Sequence, residues 1–198
     1  YYGNAGASSS SDAQATYVLY DDFNDNSINT TIWDNGDNPC SESSGRINCL
    51  ATFNSYATLK SDVQFGVNYA LQFDTWTSSL GSSSYYRMGF GNNPTFVTRD
   101  TYYRSDLWYY SGPNYKYVNV NSGGATTSDI TSPSYSSQTT YEIRRFSNET
   151  QFWKGGSLDK TITANIDTGN ENVHFSGNAN SGTLYGDNVF VRKIVYLE

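Results

Sequence analysis

Residues 68–76 read Asn-Tyr-Ala-Leu-Gln-Phe-Asp-Thr-Trp, and this stretch decides the fold class. Large apolar side chains occupy every second position, at Tyr69, Leu71 and Phe73, and small, polar or acidic residues lie between them. This alternation is the pattern of a β-strand with one buried face and one wet face. The stretch therefore predicts a strand in a sheet that packs on a hydrophobic core.

Similar strands are predicted along most of the chain. Turn residues recur about every 8–12 positions, and the strand candidates between them are residues 17–23, 32–33, 56–60, 85–91, 95–99, 101–110, 115–120, 139–146, 150–154, 159–163, 172–176 and 188–196. The Gly/Ser/Thr-rich segment 121–138 is predicted to be a long loop or a pair of small turns. Short strands at regular spacing are typical of an all-β sandwich or barrel.

Length and composition agree with one β-rich domain. The chain has 198 residues, of which 16% are aromatic and 16% charged, against about 25% charged residues in an average domain. Residues 1–16 are small and polar and are predicted to be an N-terminal arm or linker, followed by a sandwich domain at 17–198.

Charge and hydropathy exclude two classes of partner. The formal net charge is -7, and no dense cluster of Lys and Arg provides the basic surface that a nucleic-acid-binding domain needs. No apolar run approaches the ~20 residues of a membrane-spanning helix. We expect neither a nucleic-acid partner nor a membrane span in this chain.

The two cysteines are placed symmetrically about a turn. Cys40 and Cys49 flank Ser44-Gly45, and a hairpin centred there pairs position 43 with 46 and position 40 with 49. The 40/49 pair then falls in a non-hydrogen-bonded site, where Cα atoms lie ~4.5 Å apart and a disulfide fits. The alternative is a pair of free buried thiols. A disulfide indicates an oxidising compartment or a hyperthermophile.

Two glycosylation sequons occur, at Asn29-Thr-Thr and Asn148-Glu-Thr. Chance alone supplies such triplets in a chain rich in Asn and Thr, so the signal gains weight only beside the predicted disulfide. Together they predict a secreted or cell-surface glycoprotein.

One strand face combines charges with aromatic rings. In residues 101–110, Leu107 shares a face with tyrosines, whereas the opposite face alternates aromatic and charged residues. Charged side chains resist burial, so this face is predicted to be wet. Aromatic rings stack on sugars and polar groups bind hydroxyls, which makes the following residues candidate ligand-binding residues: Trp108, Tyr102, Tyr110, Arg104, Asp106, Tyr85 and Arg87. Cross-strand pairing or contact with a partner subunit are the alternatives.

Short motifs near the two ends of the chain carry a resemblance. They are Tyr20-Asp21-Asp22-Phe23-Asn24-Asp25 with Ile28 and Trp33, Glu42-Ser43-Ser44-Gly45-Arg46-Ile47, Phe152-Trp153-Lys154-Gly155-Gly156, and Gly186-Asp187-Asn188-Val189-Phe190-Val191-Arg192-Lys193. Together they resemble concanavalin A-like (laminin G-like) jelly-roll domains. The opening Tyr1-Tyr2-Gly3-Asn4 is similar to the close of an uncharacterised module that precedes such domains in archaeal and bacterial surface proteins. The resemblance implies a two-sheet antiparallel β-sandwich with a concave face.

The resemblance also implies a metal and bears on catalysis. Related jelly rolls hold one structural calcium, and the matching ligand positions are Asp22 and Asp187, although both also fit ordinary turn aspartates. Laminarinase-type hydrolases of this fold carry Glu-x-Asp-x-x-Glu, a spacing that the glutamates here do not reproduce. His174 is expected to face outward as a surface or partly buried imidazole, without a catalytic triad.

The combined expectation is a secreted, non-catalytic jelly roll for adhesion or glycan recognition, with a glycan or cell-surface polysaccharide as partner. One alternative is a structural subunit of a filament or surface array that self-associates through residues 1–16. The second alternative is a polysaccharide-active enzyme.

Overall fold

The structure is a computed structural model, and it describes residues 17–36, 39–50, 57–78, 85–91, 104–110, 115–121, 124–130, 136–178 and 182–195. These residues form β1 (Leu19–Asp21), β2 (Trp33–Asp34), β3 (Ser41–Glu42), β4 (Ile47–Cys49), β5 (Ala57–Phe65), β6 (Tyr69–Thr77), β7 (Tyr85–Gly91), β8 (Arg104–Tyr110), β9 (Tyr115–Asn121), β10 (Gly124–Asp129), β11 (Thr139–Arg145), β12 (Thr150–Lys154), β13 (Ser157–Ile162), β14 (Glu171–Asn178) and β15 (Leu184–Lys193). In this described part of the chain no helix is long and apolar enough to cross a membrane.

The strands form two antiparallel sheets, as expected for a jelly-roll sandwich. The eight-stranded sheet has the order β13-β12-β11-β6-β15-β4-β3, with β1 also paired to β15. The seven-stranded sheet has the order β10-β9-β8-β7-β14-β5-β2. In this sheet β7 to β10 are neighbours in chain order, whereas β14, β5 and β2 join them from distant parts of the chain, as in a sandwich.

The core lies between the inner faces of the two sheets. Leu71 and Phe73 of β6 are fully buried there, as are Met88 and Phe90 of β7. Phe73 packs edge-on against Phe175 of the other sheet, with ring centroids 5.7 Å apart. The faces predicted from alternation at these positions are therefore confirmed, because a period of two fixes which side chains point inward.

The predicted hairpin at the cysteines is also confirmed. Ser44 and Gly45 have φ angles of 58° and 68°, which is the turn geometry that suits the twist of a tight hairpin. Ser41 pairs with Asn48 in the ladder, and the Cys40–Cys49 disulfide joins Cα atoms 4.3 Å apart. The register thus follows from the position of the turn.

One prediction about a segment needs correction, and two lie outside the described residues. The segment 121–138 contains strand β10, which pairs with β9 at the edge of the seven-stranded sheet, instead of being loop throughout. Its Thr residues fit a strand because branched side chains suit a pleated surface. The predicted strand at 95–99 and the predicted arm at 1–16 lie outside the described residues, so self-association through the arm stays a prediction.

The first described segment contributes a strand to each sheet. β1 pairs with β15 in the eight-stranded sheet, and β2 pairs with β5 in the seven-stranded sheet. Between them, Asp21 accepts hydrogen bonds from the Phe23 backbone N–H (2.8 Å) and from Trp33 Nε1–H (2.7 Å). Leu19, Phe23 and Trp33 are buried in the common core, so residues 17–36 hold the two layers together.

A buried ionic cluster closes one end of the sandwich. The Arg145 guanidinium, fully buried on β11, donates to Phe65 O (2.8 Å), Asp167 Oδ2 (2.8 Å) and Gly169 O (3.0 Å). It therefore links the eight-stranded sheet to β5 and to the segment that leads into β14. Burial, together with the neighbouring Asp167 carboxylate, raises the pKa of Glu171 to about 9.

Candidate active site

The outer face of the seven-stranded sheet, turned away from the core, carries a carboxylate and an imidazole in one row. His174 of β14 is paired in register with Gly89 of β7, and Gly89 is paired with Asp106 of β8. His174 Nε2 lies 3.8 Å from Asp106 Oδ2, across the intervening strand. Both side chains are buried, at 1% and 0% exposure, which places this pair in a shielded environment.

Gly89 makes this pairing possible. It has a φ angle of 151°, and a Cβ at this position would lie 2.6 Å from Ser105 O and 2.7 Å from Asp106 Cα. Real side chains do not show such short contacts, so any other residue here would displace β8 or the Asp106 side chain. The missing side chain lets the groups on the two flanking strands meet above β7.

The surroundings of the pair are mixed in character. Arg87 lies two residues before Gly89 on β7, is paired with Ser176 of β14, and is buried with 2% exposure. Val118, paired with Asp106 from the β9 side, forms with Val120 an apolar cluster separate from the main core. By register, Arg87 and His174 thus lie on the same face of the sheet as Asp106, and Val118 and Val120 lie on the strand at the other side of β8.

The sequence predicted this face but not its environment. Asp106 and Arg87 were expected to be wet, and both are buried, because alternation identifies a shared face without showing what covers it. His174 points away from the core as expected, since its neighbours Val173 and Phe175 lie in the core, but it too is buried. Its proximity to Asp106 was missed, because strand pairing joins residues that are far apart in sequence.

The other predicted ligand-binding residues are located by backbone register. Trp108 of β8 is paired with Arg87 of β7 and with Lys116 of β9. Tyr110 is paired with Tyr85. Arg104 is paired with Gly91 of β7 and Val120 of β9. Tyr102 lies outside the described residues. Their roles as ligand-binding residues stay predictions.

The expected calcium site is not supported. Asp22 Oδ2 accepts hydrogen bonds from Tyr20 Oη (3.2 Å) and Asn24 Nδ2 (2.7 Å), and Asp187 Oδ1 accepts one from the Asn188 backbone N–H (2.7 Å). Burial, followed by the charges of nearby aspartates, raises the pKa of Asp187. Across the described ranges, no group of three or more His, Cys, Asp or Glu side chains is arranged to hold a metal ion. Both aspartates are thus satisfied as turn residues.

The two sequons lie at the surface. Asn29 is exposed, and its Oδ1 accepts hydrogen bonds from the Thr31 backbone N–H (3.1 Å) and Oγ1 (2.7 Å). Asn148 is also exposed, whereas Thr150 of the same sequon is buried at the start of β12. The asparagine side chains are accessible in both.

Comparisons with known proteins identify the fold. A family described as a domain of unknown function (DUF2341) matches residues 1–36, and no curated protein sequence matches the chain. The Bacillus licheniformis β-glucanase is similar in structure, with a TM-score of 0.70 at 16% identity over 90% of this chain and 98% of the enzyme. A β-1,3-glucanase from Mycobacterium marinum gives 0.67 at 9% identity, covering 89% of this chain and 98% of that chain.

A third similar structure, the Crh5 transglycosylase, gives a TM-score of 0.67 at 12% identity over 88% of this chain and 83% of its own. These similarities establish the concanavalin A-like jelly-roll fold. The expectation of a non-catalytic adhesion or glycan-recognition module, and of no enzyme activity, is overturned by this comparison, because the similar structures are glucanases and a transglycosylase.

Proposed function

We propose that this protein is a polysaccharide-active enzyme whose active site lies on the outer face of the seven-stranded sheet, centred on Asp106 and His174. The observation that carries the proposal is the buried carboxylate–imidazole pair, 3.8 Å apart above Gly89. The names of the similar structures, two glucanases and a transglycosylase, support the substrate class.

The chemistry of the pair supports proton transfer. Imidazole is the side chain most suited to accepting and donating a proton near neutral pH, and a nearby carboxylate fixes its orientation and stabilises its charged form. Burial strengthens this interaction, because the effective dielectric constant is lower inside the protein than in water.

The test is depolymerisation by the full chain and by matched variants. Soluble β-glucans, mucin and uronic-acid polymers are incubated with the protein, and new reducing ends and polymer size are measured. We expect Asp106→Asn and His174→Gln each to lower the rate by about 100-fold or more, the usual contribution of acid–base groups. Asp62→Asn, an exposed position on β5, is the control and retains the wild-type rate.

Folding is checked for each variant by near-ultraviolet circular dichroism. Unchanged cleavage by a folded His174→Gln variant would place the active site elsewhere. Absence of cleavage of every polymer by the wild-type chain would reject the enzymatic proposal.

We also propose that aromatic residues of β8 bind the glycan chain. The support is positional: Trp108 and Tyr110 lie at alternate positions after Asp106 on the same strand, and Tyr102 precedes it in sequence. Ring stacking on a sugar predicts that Trp108→Ala weakens retention on an affinity gel of the cleaved polymer. Equal retention of the folded variant would remove Trp108 from the site.

We further propose that the protein works outside the cytoplasm, as a secreted or surface glycoprotein. The Cys40–Cys49 disulfide and the exposed Asn29 and Asn148 support this proposal. Alkylation of native material before and after reduction measures the thiol state, and intact mass reports the glycans. Free thiols in native material would contradict the proposal.

A further inference from the structure

The outer face of the eight-stranded sheet carries an aromatic pair that the proposed active site does not use. Trp76 of β6 is paired in register with Tyr185 of β15, and Tyr185 is paired with Asn48 of β4. The residues that flank each of them in sequence are buried, so these three side chains point away from the core. They therefore lie side by side on the surface opposite to the proposed active site.

Arg46 is held over the two rings. Its Cζ lies 4.2 Å from the ring centroid of Tyr185 and 5.6 Å from that of Trp76, and the two ring centroids are 5.3 Å apart. Its Nε–H donates to Asn48 Oδ1 at 3.4 Å, and Asn48 Nδ2 donates in turn to Ser43 Oγ at 3.0 Å. These contacts fix the guanidinium in place before any ligand binds.

The polar atoms of this group are open to a ligand. Arg46, Trp76 and Tyr185 are all half-buried. In the part of the chain that the structure describes, no group accepts a hydrogen bond from the terminal amino groups of Arg46, from Trp76 Nε1–H or from the Tyr185 hydroxyl. These atoms are also not among the buried unpaired polar atoms, so they reach solvent. Several hydrogen-bond donors thus surround the exposed rings.

A second arginine–tryptophan stack on the same sheet shows the opposite situation. Arg144 Cζ lies 3.9 Å from the ring centroid of Trp153. Here, however, Arg144 forms an ion pair with Glu142, and Trp153 Nε1–H donates to Gln151 Oε1 at 3.2 Å. The polar groups of this stack are satisfied within the sheet, which makes it a matched comparison for the open one.

The charges around the open stack favour a neutral ligand. Asp187 and Asp74 are paired in register, each two residues from Tyr185 or Trp76 along its strand. One guanidinium beside two carboxylates, in a chain of net charge -7, provides no positive field for an anion. Sugar hydroxyls fit better, because a hydroxyl accepts a hydrogen bond from a guanidinium and donates one to a carboxylate.

We propose that Arg46, Trp76, Tyr185 and Asn48 form a second glycan-binding site, which binds a neutral, hydroxyl-rich sugar unit. The apolar face of the sugar packs on the Trp76 ring, and its hydroxyls accept hydrogen bonds from Arg46 and Tyr185. This inference goes beyond the enzymatic function proposed above and does not depend on it. In an enzyme, such a site keeps further segments of a bound polymer close to the protein.

The experiment follows the indole N–H signals of the isotope-labelled full chain by NMR. The chain has four tryptophans, so single Trp→Phe variants assign each signal. Neutral oligosaccharides of β-linked glucose, mannose and xylose are titrated, with oligogalacturonate as the acidic comparison. We expect at least one neutral oligosaccharide to shift the Trp76 signal and to leave that of Trp153 in place. The Kd should stay the same in about 0.5 M NaCl, because no charge on the ligand is screened.

Matched variants assign the binding to the open stack. Arg46→Ala is expected to raise the Kd by about 10-fold or more, whereas Arg144→Ala, in the satisfied stack, leaves it unchanged. If Arg46→Ala fails to fold, the Trp76 signal of the wild type still decides whether a sugar binds there.

Several results would overturn the inference. They are no shift of the Trp76 signal with any neutral oligosaccharide, a shift caused by the acidic oligomer alone, and equal effects of Arg46→Ala and Arg144→Ala. A shift of the Trp108 signal alone would place binding on the seven-stranded sheet instead. Loss of the proposed enzymatic activity is separable, because a Trp76 shift without any polymer cleavage would reject the enzyme and support this site.

Discussion

Replacement of Glu171 by glutamine is predicted to remove a pH dependence of stability that the wild type has. Glu171 lies at the start of β14, 2% exposed, beside the Asp167 carboxylate that is paired with Arg145. Burial and this neighbouring charge raise its pKa from 4.5 to about 9. The folded protein therefore holds the proton through neutral pH, whereas the unfolded chain releases it near its ordinary pKa.

The sign and size of the effect follow from this difference. The unfolded state binds fewer protons than the folded state between pH 4.5 and about 9, so the free energy of unfolding falls as pH rises through this range. At about 1.4 kcal/mol per pKa unit, the upper limit is about 6 kcal/mol. Structural relaxation and water entry reduce such penalties, so we expect a loss of ~3 kcal/mol in the wild type relative to Glu171→Gln.

The assay is urea unfolding of both proteins at intervals from pH 5 to pH 9, followed by tryptophan fluorescence. The amide of glutamine replaces the protonated carboxyl as a donor to Asp167 without being able to ionise. The two proteins should be similarly stable at pH 5 and diverge toward pH 9, with the variant more stable. Glu149→Gln, at a partly exposed carboxylate, is the control. If the free energy of unfolding changed with pH in the same way for the wild type and Glu171→Gln, the inference that Glu171 is uncharged in the folded protein would be refuted.

Three further predictions concern single contacts. Replacing both Cys40 and Cys49 by serine should lower the free energy of unfolding by about 2–3 kcal/mol in urea, because the open loop regains entropy in the unfolded state; an unchanged midpoint would contradict this. Gly89→Ala should lower the free energy of unfolding by about 1–3 kcal/mol through overpacking. It should also lower kcat by a larger factor than it changes KM, since Asp106 must shift. A wild-type kcat would show that the close approach of Gly89 to β8 is not required. Arg145→Lys should lower the free energy of unfolding by about 3 kcal/mol, because an ammonium group does not reproduce the hydrogen bonds that the guanidinium donates. The measurement is thermal unfolding, and a decrease in Tm of less than about 2 °C would argue that this cluster does not link the two sheets.

Short-range features of this protein were predictable from its sequence. The Ser44-Gly45 turn fixed the hairpin register, and with it the Cys40–Cys49 disulfide, because both depend on positions only a few residues apart. Alternation likewise identified the buried faces around Phe73 and Phe90. These predictions needed no knowledge of which strands are neighbours.

Long-range features were not predictable in the same way. The approach of His174 to Asp106 depends on β7 lying between β14 and β8, and this order is a property of the whole topology. A signal was present in Gly89, a glycine in the middle of an alternating strand, since such a residue often marks a close approach. Arg145 and Glu171 gave no such signal, because charged residues are expected at the surface until a buried partner is known.

The contribution of residues 17–36 to both sheets has a consequence for any dissection of this chain. The matched family covers residues 1–36, so its last residue falls after β2, inside the sandwich. A fragment that begins at position 37 would lack one strand of each layer and would leave an uncovered edge on β15 and on β5. It would also lose Leu19, Phe23 and Trp33 from the core. The region matched by the sequence family therefore overlaps the sandwich. A truncation after residue 36, chosen from the family match alone, would remove two strands from the folded structure.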